Sequence, residues 1–197
     1  MPDPGSPSTY RLFVALPVPE QVKAKIVEAQ LLLRRCLPTP AARWTRPEQF
    51  HLTLRFLGNV DASRTDALID ALRAACHAFG SLRLRAAGIG FFPNPRAPRV
   101  IWVGLTDEQD RLAVLAESVV SATNNFTNEE PEARFRGHIT LARIKSIRPR
   151  ETEPLIAAAT EAGWATFGEW TATAVELIRS ELCSQGARYT TLATIPL

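Results

Sequence analysis

Cysteine and histidine are scarce in this sequence, with three of each among 197 residues. Cys36, Cys76 and Cys183 are odd in number and widely separated, which fits neither a disulfide framework nor a cysteine-based metal cluster. Such cysteines are typical of reduced, mostly buried thiols in the cytoplasm. We therefore expect a cytoplasmic protein without disulfides.

Long apolar runs are also absent. No segment approaches the roughly 20 apolar residues that span a bilayer, so we expect no membrane partner. Residues 1–9 have neither the basic nor the apolar region of a secretory signal, and we expect them to be a disordered lead-in. With 46% hydrophobic and 22% charged residues the chain is ordinarily globular, and residues 10–197 are predicted to form a single bilobal domain and a monomer.

Lysine is rare, because arginine supplies 20 of the 23 basic residues. The planar guanidinium group of arginine matches the geometry of a phosphate better than an ammonium group does. The net charge of +3 favours an anionic partner only mildly. Composition therefore permits a phosphate-bearing partner without requiring one.

The order of predicted elements occurs twice along the chain. A β-prone run at residues 11–16 is followed by a helical stripe and by a strand at residues 50–57; residues 99–105 begin the same series, which ends in a strand at residues 137–143. Arg11 and His51 are 40 positions apart, and Arg99 and His138 are 39 apart. This spacing predicts an internal duplication about a pseudo-twofold axis. The helical stripes are Val22, Ile26, Ala29 and Leu33 in the first copy and Leu112, Leu115 and Val119 in the second.

Several further elements are predicted between and after the two copies. Residues 67–79 and 155–162 have helical spacing, residues 82–85 alternate like a strand, and residues 174–182 and 189–195 resemble a hairpin around residues 184–186. Gly58 and Asn59 are predicted to end the first histidine strand, and the proline-rich residues 93–98 to link the two halves. We therefore expect an α+β fold, bilobal, with two mostly antiparallel sheets lining a central cleft and helices outside.

The sequence His-x-Thr-Leu occurs in both copies. On a strand, residues i and i+2 share a face, so His51 lies beside Thr53 and His138 beside Thr140. If the copies face each other, two imidazoles and two hydroxyls meet in one cleft. One neutral and one protonated imidazole can act as general base and general acid on a phosphodiester, while the hydroxyls donate to its non-bridging oxygens.

The motif is informative because it is repeated. A single strand histidine is more often a packed core residue than a catalyst. Here two of the three histidines carry the same Thr-Leu context at equivalent places, whereas His77 lies in a helical pattern without it. We therefore expect a catalytic role for His51 and His138, and a surface or packing role for His77.

At these residues the sequence resembles the two-histidine (2H) phosphoesterase superfamily, and within it the LigT-like RNA 2′,3′-cyclic phosphodiesterases. The resemblance rests on residues 11–16, 51–58, 138–143 and 186–189. It implies a bilobal α+β fold and opening of a 2′,3′-cyclic phosphate at an RNA end to a 2′-phosphate, without metal or cofactor. It also implies weak, reversible 2′–5′ RNA ligation. One departure is Gly137, where the family usually has proline, and a looser entry to the strand is expected there.

The resemblance also implies roles for single residues. His51 becomes the proton donor to the leaving 3′ oxygen and His138 the proton acceptor that acts on water, although the sequence alone does not order these two roles. Phe56 and Arg143, each five positions after its histidine, become contacts to the nucleotide. Strand parity opposes this, because an offset of five faces away from the histidine unless the strand ends or bulges.

Three alternatives stay open at this point. The cleft could clamp the phosphate of an RNA end or a nucleotide without catalysis. Within the enzyme class, the substrate could be a small cyclic nucleotide or an ADP-ribose cyclic phosphate. A zinc site is a third option, but the sequence offers no obvious third ligand beside the two histidines.

Overall fold

A computed structural model describes residues 8–37, 41–160, 164–183 and 186–197. Each described α-helix has strands before and after it along the chain, and the last three strands follow one another without a described helix between them. The helices are α1 (Glu20–Arg35), α2 (Thr65–Cys76), α3 (Arg111–Thr123) and α4 (Pro149–Ala159). The strands are β1 (Thr9–Pro17), β2 (Ala42–Trp44), β3 (His51–Asp61), β4 (Leu82–Phe92), β5 (Val100–Asp107), β6 (His138–Ile144), β7 (Gly168–Ala172), β8 (Ala174–Cys183) and β9 (Gly186–Pro196).

The strands form two sheets, and every pairing in them is antiparallel. The first sheet has the order β3-β1-β8-β9 and the second β2-β6-β5-β4-β7. In each sheet the histidine strand pairs with the strand that opens its copy, β3 with β1 and β6 with β5. This arrangement confirms the predicted α+β fold with two antiparallel sheets.

Each copy contributes its long helix to the opposite sheet. The helix α1 follows β1 of the first sheet but contacts β7 of the second, and its buried Gln30 donates hydrogen bonds to the carbonyls of Thr45 and Leu141, both at 2.9 Å. The helix α3 follows β5 of the second sheet and packs on β3 of the first. The apolar stripes predicted for both helices are buried in one continuous core that includes residues of both sheets.

The prediction that residues 93–98 link the two halves is wrong. These residues join β4 to β5, which are neighbours in the second sheet, so the segment is a hairpin loop. The Arg99 amide closes it on the Phe92 carbonyl at 2.7 Å, and the Asn94 side chain accepts the Arg96 and Ala97 amides at 3.0 and 3.1 Å. Proline-rich composition marks a turn but does not tell a hairpin from a linker.

Two other boundaries differ from the prediction. Strand β3 continues through Gly58 and Asn59 to Asp61, because Gly58, at φ +61°, is accommodated in a register shift against β1. Helix α2 ends at Cys76, three residues before the predicted end at Phe79, which packs against the core beyond the helix. Helix α4 begins at Pro149, six residues before the predicted start at Leu155. The predicted hairpin of β8 and β9 is confirmed.

Some predictions concern residues that lie outside the described part of the chain, namely residues 1–7 of the proposed lead-in, residues 161–162 of the predicted fourth helix and residues 184–185 of the hairpin turn. Strand β1 begins at Thr9. Of the three thiols only that of Cys76 is buried, so the expectation of mostly buried thiols is wrong. None of the described helices has the length and apolar character needed to cross a membrane.

Candidate active site

One cleft of about 750 Å³ contains every side chain that the sequence singled out for chemistry or binding. It lies between the two sheets, and the two histidine strands contribute to opposite sides of it. The predicted residues that line it are His51, Thr53 and Phe56 from β3 and His138, Thr140 and Arg143 from β6. The cleft therefore holds two imidazoles, two hydroxyls, an aromatic ring and a guanidinium group.

Both histidines are held by the same backbone contact. Nδ1 of His51 lies 2.7 Å from the Gln49 carbonyl oxygen, and Nδ1 of His138 lies 2.8 Å from the Arg136 carbonyl oxygen. A carbonyl only accepts, so Nδ1 carries the proton in each neutral ring and Nε2 has the free lone pair. Among the described residues neither Nε2 has a partner. Each Nε2 is thus available to take or give a proton in the cleft.

Matching β-bulges remove the parity objection to Phe56 and Arg143. In β3 the pairing with β1 skips Leu54, and in β6 the pairing with β5 skips Leu141. Each strand therefore buries two residues in succession and exposes the next one. This extra residue returns the fifth position to the face that carries the histidine. Both Phe56 and Arg143 consequently line the cleft, and Phe56 is 47% exposed there.

The aromatic neighbours of the two histidines differ. The His51 ring packs against Phe13 and Tyr189, with ring centroids at 4.8 and 5.5 Å, and these two rings also contact each other at 5.0 Å. The His138 ring lies against Phe92 and Trp102, at 5.1 and 6.3 Å. Each imidazole is thus fixed on one side by its backbone hydrogen bond and on another by aromatic packing.

A cation extends the aromatic packing on the His138 side. The Arg136 guanidinium covers the Trp102 ring at 4.6 Å and the Phe92 ring at 5.6 Å. These distances are within the range of a cation–π contact. The residue whose carbonyl holds His138 therefore also packs on the rings behind it.

Burial has an electrostatic consequence for His51. Desolvation lowers its pKa from the ordinary 6.5 to about 4; the hydrogen bond to the Gln49 carbonyl opposes this shift, and the charge of His138 adds to it. Since the imidazole gains its proton only near pH 4, His51 is neutral in the free protein at pH 7. The contribution of His138 also means that the two imidazoles lie within electrostatic reach of each other.

The hydroxyls of Thr53 and Thr140 are free to meet a substrate. Both line the cleft, and neither has a hydrogen-bond partner in the described part of the chain. Both occupy position i+2 from a histidine, so each hydroxyl lies on the same strand face as an imidazole. This arrangement offers two neutral donors beside two titratable nitrogens.

Gly137 has a packing reason that the sequence did not reveal. A side-chain carbon added there would lie 2.9 Å from the Leu105 carbonyl oxygen, which is tighter than normal contact. The Gly137 carbonyl in turn accepts the Leu105 amide at 3.0 Å. The expectation of a looser strand entry is therefore wrong, since close approach to β5 fixes this position.

Sequence reasoning missed several other groups at the cleft, including Tyr189 and the carboxylates of Glu129, Glu130 and Glu132. Phe13, Phe92, Arg11 and Arg43 line it but were not proposed as site residues. Phe13 and Arg11 could have been found from alternation along β1, whereas Arg43 could not, because β2 joins the second sheet through a pairing the sequence does not indicate. Among the described residues no group of three or more His, Cys, Asp or Glu side chains is arranged to hold a metal ion.

The sequence is similar to known phosphoesterases over nearly its whole length. An RNA 2′,3′-cyclic phosphodiesterase of Thermus thermophilus is 35% identical over 95% of this chain and 90% of that protein. The family model described as LigT like Phosphoesterase matches residues 16–102, which include His51. The chain belongs to the LigT-like phosphoesterase family. This places it in the 2H superfamily that the sequence resembles.

Solved structures of LigT-like proteins agree with the fold. The protein TT0787 of Thermus thermophilus superposes with a TM-score of 0.75 at 35% identity, covering 95% of this chain and 97% of that one. The apo form of Escherichia coli LigT superposes with a TM-score of 0.74 at 25% identity, covering 97% of this chain and 99% of that one. The LigT-like fold therefore includes the second histidine strand, which the family model does not reach.

Proposed function

We propose that this protein hydrolyses the 2′,3′-cyclic phosphate at an RNA end to a 2′-phosphomonoester, with His51 and His138 as its general acid and base and without a metal ion or other cofactor. The observation that carries the proposal is the pair of imidazoles that reach one cleft from two equivalent strands, each with Nε2 free. Acid–base catalysis needs this geometry of proton donor and acceptor around one phosphorus.

Relatives support the substrate class. The Thermus thermophilus relative and one from Archaeoglobus fulgidus, 29% identical over 91% of this chain, are both named RNA 2′,3′-cyclic phosphodiesterase. Escherichia coli LigT, 25% identical, has been solved in complex with phosphate, ATP and NADP+. A strained cyclic diester of a nucleotide fits both the names of these relatives and the two-imidazole cleft.

Hydrolysis of the cyclic diester moves two protons, one at each histidine. Nε2 of His138 takes a proton from water as the water oxygen bonds to phosphorus. The bond from phosphorus to the 3′ oxygen breaks, and Nε2 of His51 gives its proton to that oxygen. The product carries a 2′-phosphate and a 3′-hydroxyl, and a proton passes from His138 to His51 through solvent before the next turnover. With a ribose 5′-hydroxyl in place of water, the same steps in the same direction join that oxygen to phosphorus, release the 3′-hydroxyl and give the weak 2′–5′ ligation expected from the sequence.

Thr53 and Thr140 act on the charge that develops at phosphorus. In our proposal each hydroxyl donates a hydrogen bond to a non-bridging oxygen and stabilises the transition state more than the ground state. Phe56 gives the terminal base a stacking surface, and Arg143 contacts phosphate or base. The bulges that turn both residues towards the cleft support these assignments.

The proton donor role of His51 has an electrostatic requirement. His51 is neutral in the free protein at pH 7 because its pKa is lowered to about 4. The negative charge of the bound phosphodiester raises the pKa of a nearby imidazole, so the substrate itself favours protonation of His51. A reversed order, with His51 as base, needs no such change and is the competing assignment.

Turnover of an oligoribonucleotide ending in a 2′,3′-cyclic phosphate, followed by phosphorus NMR, tests the activity. We expect a 2′-phosphomonoester at equal rate with and without EDTA. A 3′-phosphate product would contradict the assigned direction of cleavage. Absence of turnover, with tight binding retained, would favour the phosphate-binding module without catalysis.

The order of the two roles can be tested with leaving groups. A substrate whose leaving oxygen belongs to a nitrophenol needs little protonation, so loss of the general acid costs much less on it. If His51 is the donor, His51→Ala loses far less activity on the nitrophenyl ester than on the RNA end, while His138→Ala loses a similar factor on both. The opposite pattern would reverse the assignment.

We also propose that the protein acts in the cytoplasm as a monomer, on RNA ends rather than on small cyclic nucleotides. The exposed free thiol of Cys183 fits a reducing compartment.

The large apolar side chains that are exposed lie on separate elements, which favours a monomer; they are Leu31, Phe56, Val114 and Leu182. Light scattering tests the mass, and the ratio of kcat/KM for an RNA end and a mononucleotide tests the substrate.

A further inference from the structure

Three arginines reach one part of the cleft from different strands. Arg11 lies on β1 of the first sheet, and Arg43 and Arg143 lie on β2 and β6 of the second. All three are exposed and line the cleft that contains the two histidines. Positive charge is therefore brought together here from both sheets.

Two of these arginines repel each other in the folded protein. Arg43 and Arg143 are directly opposite in the antiparallel pairing of β2 and β6, so their side chains share a face. Like charges directly opposite on neighbouring strands are destabilising. An anion between the two guanidinium groups would relieve this repulsion.

The same three charges act on Tyr189. Burial raises the pKa of the Tyr189 hydroxyl, and the charges of Arg143, Arg43 and Arg11 oppose that shift. Tyr189 also packs edge-on against His51, with centroids 5.5 Å apart. The three arginines thus lie within electrostatic reach of a ring that contacts a proposed catalytic imidazole.

Three glutamates, Glu129, Glu130 and Glu132, also line the cleft, but none forms an ion pair with these arginines. Within the described ranges, no carboxylate lies within 4.0 Å of the guanidinium nitrogens of Arg11, Arg43 or Arg143. A carbon added to Gly186, in the strand that carries Tyr189, would lie 2.9 Å from Nη2 of Arg43. The absent side chain lets Arg43 lie against the β9 backbone at the rim of the cleft.

We propose that Arg11, Arg43 and Arg143 form a second anion site, which binds a phosphate attached to the 5′ oxygen of the terminal nucleoside. This inference rests on the proposed function, because it takes the cyclic phosphate to lie between the histidines. In a terminal nucleotide of RNA, the 5′ phosphate is the only other charged group. Guanidinium groups bind phosphate through charge-assisted, often paired hydrogen bonds.

Three substrates test the site: a nucleoside 2′,3′-cyclic phosphate, the same compound with a 5′-phosphate, and a dinucleotide ending in a cyclic phosphate. Hydrogen bonds to a charged group contribute about 1.5–3 kcal/mol, so the 5′ phosphate is expected to raise kcat/KM by about tenfold or more, mainly through KM. We expect Arg43→Gln and Arg11→Gln each to lower that ratio. The matched control Arg85→Gln, an exposed strand arginine outside the cleft, removes the same charge and should leave it unchanged.

The outcomes separate the possible sources of the phosphate. Equal gains for the 5′-phosphorylated mononucleotide and the dinucleotide would support a site for the phosphate itself. A gain confined to the dinucleotide would overturn the proposal, because the upstream nucleoside would then be what is recognised. A gain that survives both arginine substitutions would also overturn it.

A binding measurement keeps this inference separate from catalysis. Calorimetry compares a nucleoside 2′-phosphate with a nucleoside 2′,5′-bisphosphate, neither of which contains a cyclic phosphate to hydrolyse. Tighter binding of the bisphosphate that is lost in Arg43→Gln would support the site even if no cyclic phosphate were turned over. Equal binding of the two ligands to the unmodified protein would overturn the inference, whatever the activity.

Discussion

The two histidine strands have the same backbone but different surroundings. Both histidines donate Nδ1–H to the carbonyl two positions earlier, and both strands bulge between the threonine and the fifth residue. Their aromatic neighbours differ, because His51 packs against Phe13 and Tyr189 and His138 packs against Phe92 and Trp102. The duplication has kept the geometry of the two imidazoles and changed what packs against them.

The difference matters because acid–base catalysis needs one protonated and one neutral group at equivalent positions on the two sides of the phosphorus atom. Equivalent strands place the two Nε2 atoms symmetrically, which suits donor and acceptor on opposite sides of a phosphorus atom. Unequal enclosure can then give the two rings different proton affinities, as the lowered pKa of His51 illustrates. Symmetry of the backbone and asymmetry of the side chains thus have separate functions in this cleft.

The largest expected effect is the loss of either histidine. His51→Ala and His138→Ala should each lower kcat/KM on a cyclic-phosphate RNA end by about 10³-fold, because a positioned acid or base contributes roughly 10²–10⁴. The double variant should be only slightly worse than either single one, since the two groups act as a unit. Steady-state kinetics at pH 7 measure this. His77→Ala, on the exposed residue after α2, is the matched control and should retain full activity.

Next in size are the hydroxyls. Thr53→Val and Thr140→Val keep the side-chain shape and remove one donor each, so kcat should fall by about 10²-fold with little change in KM. The comparison of the two sides predicts equal losses, because the threonines occupy equivalent positions. Single-turnover kinetics measure the chemical step. A loss confined to one variant would mean that only one strand meets the phosphate oxygens.

Stability at low pH reports on His51 without any substrate. The unfolded chain protonates His51 below pH 6.5 and the folded protein only near pH 4, so stability is lost as the pH falls through this window. The expected loss is about 3 kcal/mol, at about 1.4 kcal/mol per pKa unit. Urea unfolding at pH 7 and pH 4 measures it.

Carboxylates titrate in the same pH window, so this measurement needs a reference. In His51→Gln the part of the loss due to the imidazole disappears, and the difference between the two proteins isolates it. Histidine NMR on the unmodified protein gives the pKa of His51 directly, and a value near 6.5 would contradict the effect of burial.

The sequence predicted the repeated parts of this molecule better than the parts that join them. His51, His138 and both threonines follow from one motif and from strand alternation, and the buried helical stripes follow from spacing alone. The exchange of α1 and α3 between the sheets could not be predicted, because an apolar stripe does not specify which sheet covers it. The loop at residues 93–98 was misplaced because the sequence likewise does not show that β4 and β5 pair in one sheet.

The bulges explain the one point on which sequence reasoning contradicted itself. Parity placed Phe56 and Arg143 away from the histidines, while the family resemblance placed them at the substrate. A bulge depends on how a strand pairs with its neighbour, and neither Leu54 nor Leu141 carries a local signal of being skipped. Arg43 was missed on similar grounds, since β2 is short and its partner strand lies about 100 positions later.

The smallest expected effect concerns the position where the two strands differ most. Phe56 and Arg143 are equivalent in the duplication, yet one offers a ring and the other a charge. Phe56→Leu should raise KM for an RNA end by about tenfold, because stacking on an aromatic ring contributes roughly 1–3 kcal/mol per base. The salt dependence of its KM should match that of the unmodified protein, since no ion contact is lost.

Arg143→Gln, in contrast to Phe56→Leu, should change the salt dependence of KM. Its KM should rise by a similar factor at low salt, and the slope of log KM against log salt should become shallower by about one unit, as expected for one lost phosphate contact. Kinetics between about 50 and 400 mM salt, with purine and pyrimidine ends, measure both variants. If Phe56→Leu changes the salt slope, or Arg143→Gln changes only the base preference, the assignment of base stacking to Phe56 and of a phosphate contact to Arg143 is wrong. Equal behaviour of the two variants would mean that neither residue touches the nucleotide in the proposed way.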